Sequence, residues 1–280
     1  MWRLRTRTLM LPPRPLLMGV INVTPDSFSD GGKFLGPQAA TDRGLELAAA
    51  GADLLDVGGE STRPYSQEVE VEEELRRVAP VIAGLAEQTQ TPLSIDTSKP
   101  DVAKECLDAG AEVINDVTAL ADSRMLQLAV ESAAGVCIMH MQGTPRTMQD
   151  NPQYQDVVED VFHFLRLRRD ALVAAGVLRQ RIALDPGIGF GKTHQHNLTL
   201  LSACRRFHEL ECPLLLGPSR KGFIGKVLND QQADRTAGSI GVCLALAQRG
   251  VQILRIHDVA PVRQALLLFE AAGGITPPDD

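Results

Sequence analysis

The sequence predicts an α/β protein built as a single (β/α)8 TIM barrel with parallel strands, and two observations carry that prediction. Apolar, β-branched runs alternate eight times with amphipathic helical patterns along the 280 residues, which is the pattern of parallel β/α units. The apolar runs are continuous, as expected for strands that are buried on both faces. A barrel accounts for this number of units, whereas an open doubly wound sheet, the alternative, requires no such number.

The predicted elements follow one another in regular order. The strands span residues 16–23, 53–57, 93–96, 112–117, 136–140, 182–185, 214–217 and 251–257. The helices span residues 38–50, 71–88, 100–109, 125–133, 156–175, 198–210, 237–248 and 262–272. Glycines suited to a left-handed helix C-cap precede four of the strands, at Gly51, Gly110, Gly135 and Gly250. We expect one domain over residues 1–280, with an N-terminal extension at 1–15 and a C-terminal tail at 274–280.

The composition excludes several classes of protein. With 44% hydrophobic and 22% charged residues, the chain is expected to be globular and soluble. A net charge of −7 argues against a nucleic-acid-binding protein, and no apolar run approaches the roughly 20 residues of a membrane span. The basic N-terminus has no apolar signal region, so an ordinary ragged terminus at the surface is expected, with a surface-adhering amphipathic arm as the alternative. Five cysteines without a CxxC motif indicate buried, reduced thiols and a cytoplasmic protein.

Polar residues stand at nearly every predicted strand end, where a barrel carries its active site. They are Asn22, Thr24, Asp56, Thr62, Arg63, Asp96, Asn115, Asp116, His140, Asp185, Ser219, Lys221, Arg255 and His257. Asp96 and Asp185 are predicted to be functional, because each ends a buried run where an unpaired carboxylate is costly. Asp56 and Asp116 are predicted to be structural, since each is placed to accept neighbouring backbone N–H groups.

These residues indicate two kinds of recognition at one barrel mouth. Cationic and hydroxyl side chains suit phosphate or carboxylate groups, although the chain as a whole is acidic. This set comprises Asn22, Thr62, Arg63, Ser219, Lys221, Arg255 and His257. Asp96, Asn115 and Asp185 instead suit a neutral heterocycle that offers several N–H donors.

The stretch RIALDPGIGFGKT at 181–193 is predicted to be the sixth strand and its loop. Its last residues are similar to a nucleotide-binding P-loop, but Pro186 stands where that motif requires a glycine. Lys192 is therefore predicted to have a structural or surface role. His194 and His196 form an HxH pair, and a solvated surface pair is favoured over a metal site because the pair follows the sixth strand and not the first.

From about residue 18 to residue 259 the chain resembles the dihydropteroate synthases, with one motif for each predicted strand. The motifs are GVINVTPDSFSDGG (19–32), DVGGESTRP (56–64), SIDTSKP (94–100), INDVTAL (114–120), MHMQGTPRTMQ (139–149), LDPGIGFGKT (184–193), GPSRKGFIG (217–225) and LRIHDV (254–259). The resemblance implies a TIM barrel, usually a homodimer, that condenses (7,8-dihydropterin-6-yl)methyl diphosphate with 4-aminobenzoate. The products are 7,8-dihydropteroate and pyrophosphate, in folate biosynthesis, and sulfonamides are expected to compete.

The resemblance also implies roles for particular residues. The pterin site is expected at Asp96, Asn115, Asp185 and Lys221. The diphosphate site is expected at Asn22, Thr62, Arg63, Arg255 and His257, with Asn22 a ligand of Mg2+. The 4-aminobenzoate site is expected at Arg63, Pro64, Phe190, Ser219 and Lys221. Catalysis is expected to depend on Asn22, Asp185, Lys221, Arg255 and His257, in a dissociative substitution in which Asp185 stabilises positive charge on the pterin.

One position departs from the family pattern, and three alternatives stay open. Tyr65 stands where the family commonly has glycine, with consequences expected for aminobenzoate and sulfonamide binding. A methyltetrahydrofolate-type methyltransferase would share the pterin residues but would not need Thr62, Arg63 or the Arg255–His257 pair. A non-catalytic paralogue that binds pterin or a partner protein would lack loop residues that are present here. A barrel metallohydrolase would require histidines after the first strand, where Asn22 stands.

Overall fold

A computed structural model describes residues 1–24, 36–61 and 66–275 of the chain. Residues 25–32 of the first motif, which follow the first predicted strand, lie outside the described residues. So do Thr62, Arg63 and Pro64 of the predicted site, together with Tyr65.

The described residues form a parallel barrel preceded by a small antiparallel hairpin. The hairpin consists of β1 (Trp2–Arg3) and β2 (Thr8–Leu9). The barrel strands are β3 (Leu16–Asn22), β4 (Leu54–Gly58), β5 (Leu93–Asp96), β6 (Val113–Asp116), β7 (Gly135–Met139), β8 (Ile182–Asp185), β9 (Leu215–Leu216) and β10 (Ile253–Ile256). Each pairs with its neighbour in the chain, β10 returns to β3, and a parallel bridge from Leu184 to Leu214 closes the ring between β8 and β9. The predicted barrel is confirmed.

Helices surround this sheet and cover its outer face. They are α1 (Pro37–Ala49), α2 (Val71–Gln88), α3 (Pro100–Asp108), α4 (Ser123–Ser132), α5 (Val157–Ala174), α6 (His194–Ser202), α7 (Gly222–Val227), α8 (Thr236–Gln248) and α9 (Val259–Ala271). The predicted helix at 198–210 is instead α6 followed by a 3-10 segment, Cys204–Leu210. The short helix α7 was not predicted, because six residues with two glycines carry no helical periodicity.

The N-terminal segment closes the end of the barrel where the strands begin, which we call the lower end; the upper end is the one where the strands finish. Trp2 and Leu4 are buried in a cluster with residues that point into the barrel, including Met18, Leu54 and Ile253. The indole Nε1 of Trp2 donates a hydrogen bond to the carbonyl of Arg181 at 2.9 Å. The predicted surface terminus is therefore wrong: two apolar side chains anchor the segment across the strand ends opposite the candidate site.

Two further findings concern the chain as a whole. No helix among residues 1–24, 36–61 and 66–275 is both long and apolar enough to cross a membrane. All five cysteines are free and buried.

Candidate active site

A cavity of about 750 Å3 opens at the carboxyl ends of the barrel strands. It is lined by every predicted site residue that the structure describes: Asn22, Asp96, Asn115, Asp185, Phe190, Ser219, Lys221, Arg255 and His257. Parallel strands that all end at one rim bring these residues together, although they are spread over more than 200 positions of the chain.

Arg255 lies between two carboxylates at the centre of the cavity floor. Its Nε donates to Asp56 Oδ2 at 2.6 Å, and its Nη2 donates to Asp96 Oδ2 at 2.7 Å. The same oxygen of Asp56 accepts a hydrogen bond from Asn115 Nδ2 at 3.1 Å. Four strands therefore contribute to one connected network, from β4, β5, β6 and β10.

The two aspartates predicted to be structural behave differently. Asp116 accepts from the backbone N–H of Thr118 at 2.7 Å and of Leu120 at 2.9 Å, so it shapes its own loop as predicted. The hydrogen bonds of Asp56 instead come from the side chains of Arg255 and Asn115. For Asp56 the prediction is wrong, because the fold brings polar side chains from β6 and β10 within hydrogen-bonding distance of its carboxylate.

The electrostatics of this network move the titration of Asp96 towards neutral pH. Burial raises the pKa of Asp96 to about 7, against the effect of Arg255, which lowers it. The charges of Asp56, Glu74 and Asp116 act in the same direction as burial. Burial lowers the pKa of Arg255, but the charges of Asp56 and Asp96 raise it by more, so the pKa of Arg255 lies above its ordinary value. Arg255 therefore stays cationic while Asp96 titrates close to neutral pH.

The loop after β8 is held close to the carboxylate of Asp185. Asp185 Oδ1 accepts from the backbone N–H of Gly187 at 2.7 Å, and burial raises the pKa of Asp185. Gly187 has φ +71°, and a Cβ there would lie 2.0 Å from the carbonyl oxygen of His140. Only glycine fits this position, because it combines a left-handed backbone with direct contact to the neighbouring strand.

Lys192 anchors the same loop from below. Its Nζ contacts the carbonyl of Phe190 at 2.9 Å, His140 Nδ1 at 3.0 Å and the carbonyl of His140 at 3.2 Å. Burial lowers the pKa of Lys192 to about 7 and, together with the charge of Lys192, lowers that of His140 to about 3. Of the two roles predicted for Lys192, the structural role is confirmed and the surface role is wrong, because the residue is only 2% exposed.

A lysine and an aromatic ring form another wall of the cavity. The Nζ of Lys221 lies 4.2 Å from the centroid of the Phe190 ring, a cation–π contact. Burial and the charge of Arg255 lower the pKa of Lys221 to about 8, against the carboxylates of Asp185 and Asp96. An amine with this pKa is charged at neutral pH and close to releasing its proton.

His257 and Ser219 stand together at the rim. The Nδ1 of His257 lies 3.1 Å from the hydroxyl oxygen of Ser219. Burial, followed by the charge of Arg255, lowers the pKa of His257 to about 4, so the ring is uncharged at neutral pH. A bound anion would raise that pKa, because an adjacent negative charge favours the imidazolium.

Of the HxH pair, His196 takes part in helix capping, and His194 lines the cavity. Thr193 caps α6 by accepting from the backbone N–H of His196, whose ring accepts in turn from the backbone N–H of Thr193. Within the described part of the chain, no group of three or more His, Cys, Asp or Glu residues is arranged to hold a metal ion.

Five supporting residues were not predicted. Glu60 lines the cavity and pairs with Lys99, which also pairs with the fully buried Glu74 on α2 at 2.6 Å. Gln149 and Asn197 fix the loop after β8, through hydrogen bonds of 2.9 Å to the Gly189 carbonyl and 2.6 Å from the Gly189 N–H. The burial of Glu74 could have been predicted from the sequence, because the residue lies on the apolar face that Val78 and Leu85 define on the same helix.

Comparisons with known proteins agree on one family. The family model described as "Pterin binding enzyme" matches residues 18–257. Dihydropteroate synthase of Escherichia coli K12 is 44% identical over 257 residues, which cover 92% of this chain and 91% of that protein. The Yersinia pestis dihydropteroate synthase solved with a sulfonamide drug complex aligns with a TM-score of 0.91 at 43% identity, covering 97% of this chain and 98% of that one. The Xanthomonas albilineans dihydropteroate synthase in complex with 7,8-dihydropteroate aligns with a TM-score of 0.84 at 45% identity, covering 94% and 95%.

Proposed function

This chain belongs to the pterin-binding enzyme family, among the dihydropteroate synthases, and from that premise we propose how its residues work. The enzyme is a transferase that joins (7,8-dihydropterin-6-yl)methyl diphosphate to 4-aminobenzoate. The C–O bond between the pterin methylene and the diphosphate breaks, a C–N bond to the arylamine forms, and the amine loses a proton. The products are 7,8-dihydropteroate and pyrophosphate.

We assign pterin recognition to Asp96, Asn115, Asp185 and Lys221. Two carboxylates and an amide that line one cavity supply acceptors for the ring N–H and amino groups of a pterin. A ligand that lacks these N–H donors is rejected, because its binding would leave buried carboxylates without hydrogen-bond partners. Asp185 also stabilises the positive charge that spreads into the pterin as the C–O bond breaks.

We assign the diphosphate to Asn22, Arg255 and His257, with Thr62 and Arg63 from the second loop. Arg255 supplies a permanent cation, and His257 becomes a cation as its pKa rises beside the phosphates. Asn22, which ends β3 at the cavity wall, offers a hard amide oxygen of the kind that Mg2+ accepts. Asn22 would hold Mg2+ together with the substrate phosphates, and the ion would add positive charge beside the leaving diphosphate.

We assign 4-aminobenzoate to the wall formed by Phe190, Ser219 and Lys221, with Arg63 and Pro64. The Phe190 ring provides an apolar surface for the benzene ring, and the cationic residues suit the carboxylate. An arylamine is a weak nucleophile, so the residues contribute mainly by holding it in line with a reactive methylene. The reaction is therefore proposed to be a dissociative substitution.

The observation that carries this assignment is the joint presence of Asp96, Asn115, Asp185, Lys221 and Arg255 in one cavity. The test is pyrophosphate release by the purified protein with Mg2+, the pterin diphosphate and 4-aminobenzoate, and with each component left out in turn. Release that requires all three supports the function. A folded protein that binds the pterin diphosphate but releases no pyrophosphate would instead be a binding protein.

The assembly and compartment are part of the same proposal. We propose a homodimer in the cytoplasm, where five reduced thiols are expected to persist. Exposed Val227 and Leu228 border an apolar groove between α6, α7 and α8, which is the surface we assign to the second copy. Sedimentation of the Val227→Glu variant as a monomer, beside a dimeric wild type, would support that surface.

A further inference from the structure

Asp56 contacts the residues of the site without lining the cavity itself. Its side chain is fully buried on β4 and is absent from the cavity wall. One oxygen, Oδ2, accepts from Arg255 Nε at 2.6 Å and from Asn115 Nδ2 at 3.1 Å. Asp116, its counterpart on β6, accepts hydrogen bonds from the backbone N–H groups of its own loop. The two buried aspartates therefore have different roles.

The hydrogen bonds of Asp56 fix the orientation of its two partners. The guanidinium of Arg255 is planar, and bonds from Nε to Asp56 and from Nη2 to Asp96 define its plane. This arrangement leaves Nη1 outside both pairs. The bond to Asn115 fixes which end of that amide faces Asp56, so the amide oxygen is free to face away from it.

We infer that Asp56 is a positioning residue for the reaction, which aligns the diphosphate-binding Arg255 and the pterin-binding Asn115 through a single carboxylate. The inference rests on the proposed function of those two residues. Stability alone is a weak explanation for the network, since the desolvation of buried ion pairs offsets most of their attraction.

The charge of Asp56 also affects the pKa of Asp96, so the positioning role should be visible in the pH dependence of the reaction. The charged groups that face Asp96 are Arg255 on β10, Asp56 on β4, Glu74 on α2, Asp116 on β6 and Lys221 beyond β9. Arg255 lowers the pKa of Asp96, whereas Asp56 raises it. Removing the charge of Asp56 should therefore lower the pKa of Asp96.

The first test is Asp56→Asn, which keeps the shape but removes the charge. We expect kcat/KM for the pterin diphosphate to fall about 100-fold, because Arg255 and Asn115 lose their alignment. The acid limb of the pH profile should move to lower pH. The matched control is Asp53→Asn, since Asp53 lies just before β4 and accepts from the backbone N–H of Leu17 at 2.8 Å. The control should leave the acid limb in place, and an unmoved limb in Asp56→Asn would contradict the inference.

A double-mutant cycle tests whether Asp56 acts through Arg255. In an Arg255→Met background, Asp56→Asn should cost less than about 10-fold in kcat/KM, because only Asn115 remains of the two residues that Asp56 aligns. The same loss of about 100-fold in both backgrounds would show that Asp56 acts independently, and the inference would be wrong.

A measurement on the wild-type protein covers the case in which Asp56→Asn does not fold. The Nε–H of Arg255, assigned in 15N NMR spectra by its absence from Arg255→Lys, should exchange with water much more slowly than that of free arginine. Exchange at the rate of free arginine would overturn the inference. Since this measurement needs no turnover, it separates failure of the alignment from failure of the proposed function.

Discussion

The two ends of the barrel use the same strands for opposite purposes. At the lower end, Trp2 and Leu4 seal an apolar cluster that includes Met18, Leu54 and Ile253. At the upper end, Asn22, Asp56, Asp96, Asn115 and Arg255 lie within the last three residues of their barrel strands, and all but Asp56 line the cavity. The lower end gains stability from burial, whereas the upper end holds charges that burial makes unfavourable.

This difference teaches that stability and function are separable along each strand. Near the upper end, the pKa values of Asp96, Lys192 and Lys221 are all moved towards neutrality, chiefly by burial. Such shifts mean that folding works against the charged forms of these residues, two of which, Asp96 and Lys221, are proposed to bind substrates. A substitution at the upper end should therefore remove activity without loss of stability, and one at the lower end should do the reverse.

The largest expected effect is on turnover, from Asp185→Asn. The variant removes the charge proposed to stabilise the developing cation, and we expect kcat to fall by at least about 100-fold. The melting temperature should not fall, since burial raises the pKa of Asp185 and the charged form disfavours folding. Steady-state kinetics and calorimetry on one preparation check both. Asp108→Asn on the exposed end of α3 is the control and should match the wild type.

The next effect is on stability, from Trp2→Ala. Removing a fully buried indole should cost about 3–5 kcal/mol in the free energy of unfolding, because it leaves a cavity at the lower end. Below the unfolding transition kcat should stay within about twofold of the wild type, since no catalytic group moves. Leu268→Ala, at a 66% exposed position, is the control and should change stability little. Equal stability of Trp2→Ala and wild type would contradict the role of the N-terminal hairpin.

A smaller effect is expected from Lys192→Met, because Lys192 supports a loop of the site and is not itself assigned to a substrate. The loop after β8 loses its anchor to Phe190, so KM for 4-aminobenzoate should rise by about 10-fold, with KM for the pterin diphosphate little changed. Lys104→Met on α3 is the matched control. Equal increases in both KM values would show that Lys192 supports the whole site and not the aminobenzoate wall.

The smallest effect is the pH dependence of the wild type. Activity should rise as Asp96 ionises near pH 7 and fall as Lys221 loses its proton near pH 8. The stability of the fold should instead decrease as Asp96 ionises with rising pH. The raised pKa of Asp96 gives a contribution that is complete below pH 3.8 and is lost as the pH rises through about 7. Melting temperatures of Asp96→Asn and wild type across this range should therefore diverge as the pH rises, and parallel curves would contradict the shift.

The sequence predicted the upper end better than the lower end, for a physical reason. Strand-end residues such as Asp185 and His257 follow apolar runs, so their position in a barrel can be read locally. The burial of Trp2 depends on a hairpin folding back beneath strands that are distant in the chain, which no local pattern records. The pairing of Asp56 with Arg255 likewise joins residues 199 positions apart, so local reasoning assigned Asp56 to its own loop.

The identity of the product tests the central claim most directly. With Mg2+, the pterin diphosphate and 4-aminobenzoate, mass spectrometry should detect 7,8-dihydropteroate in equal amount to the pyrophosphate released, and Asp185→Asn should form almost none. Pyrophosphate released without 7,8-dihydropteroate would mean that water, and not the arylamine, attacks the pterin methylene, and it would contradict the account.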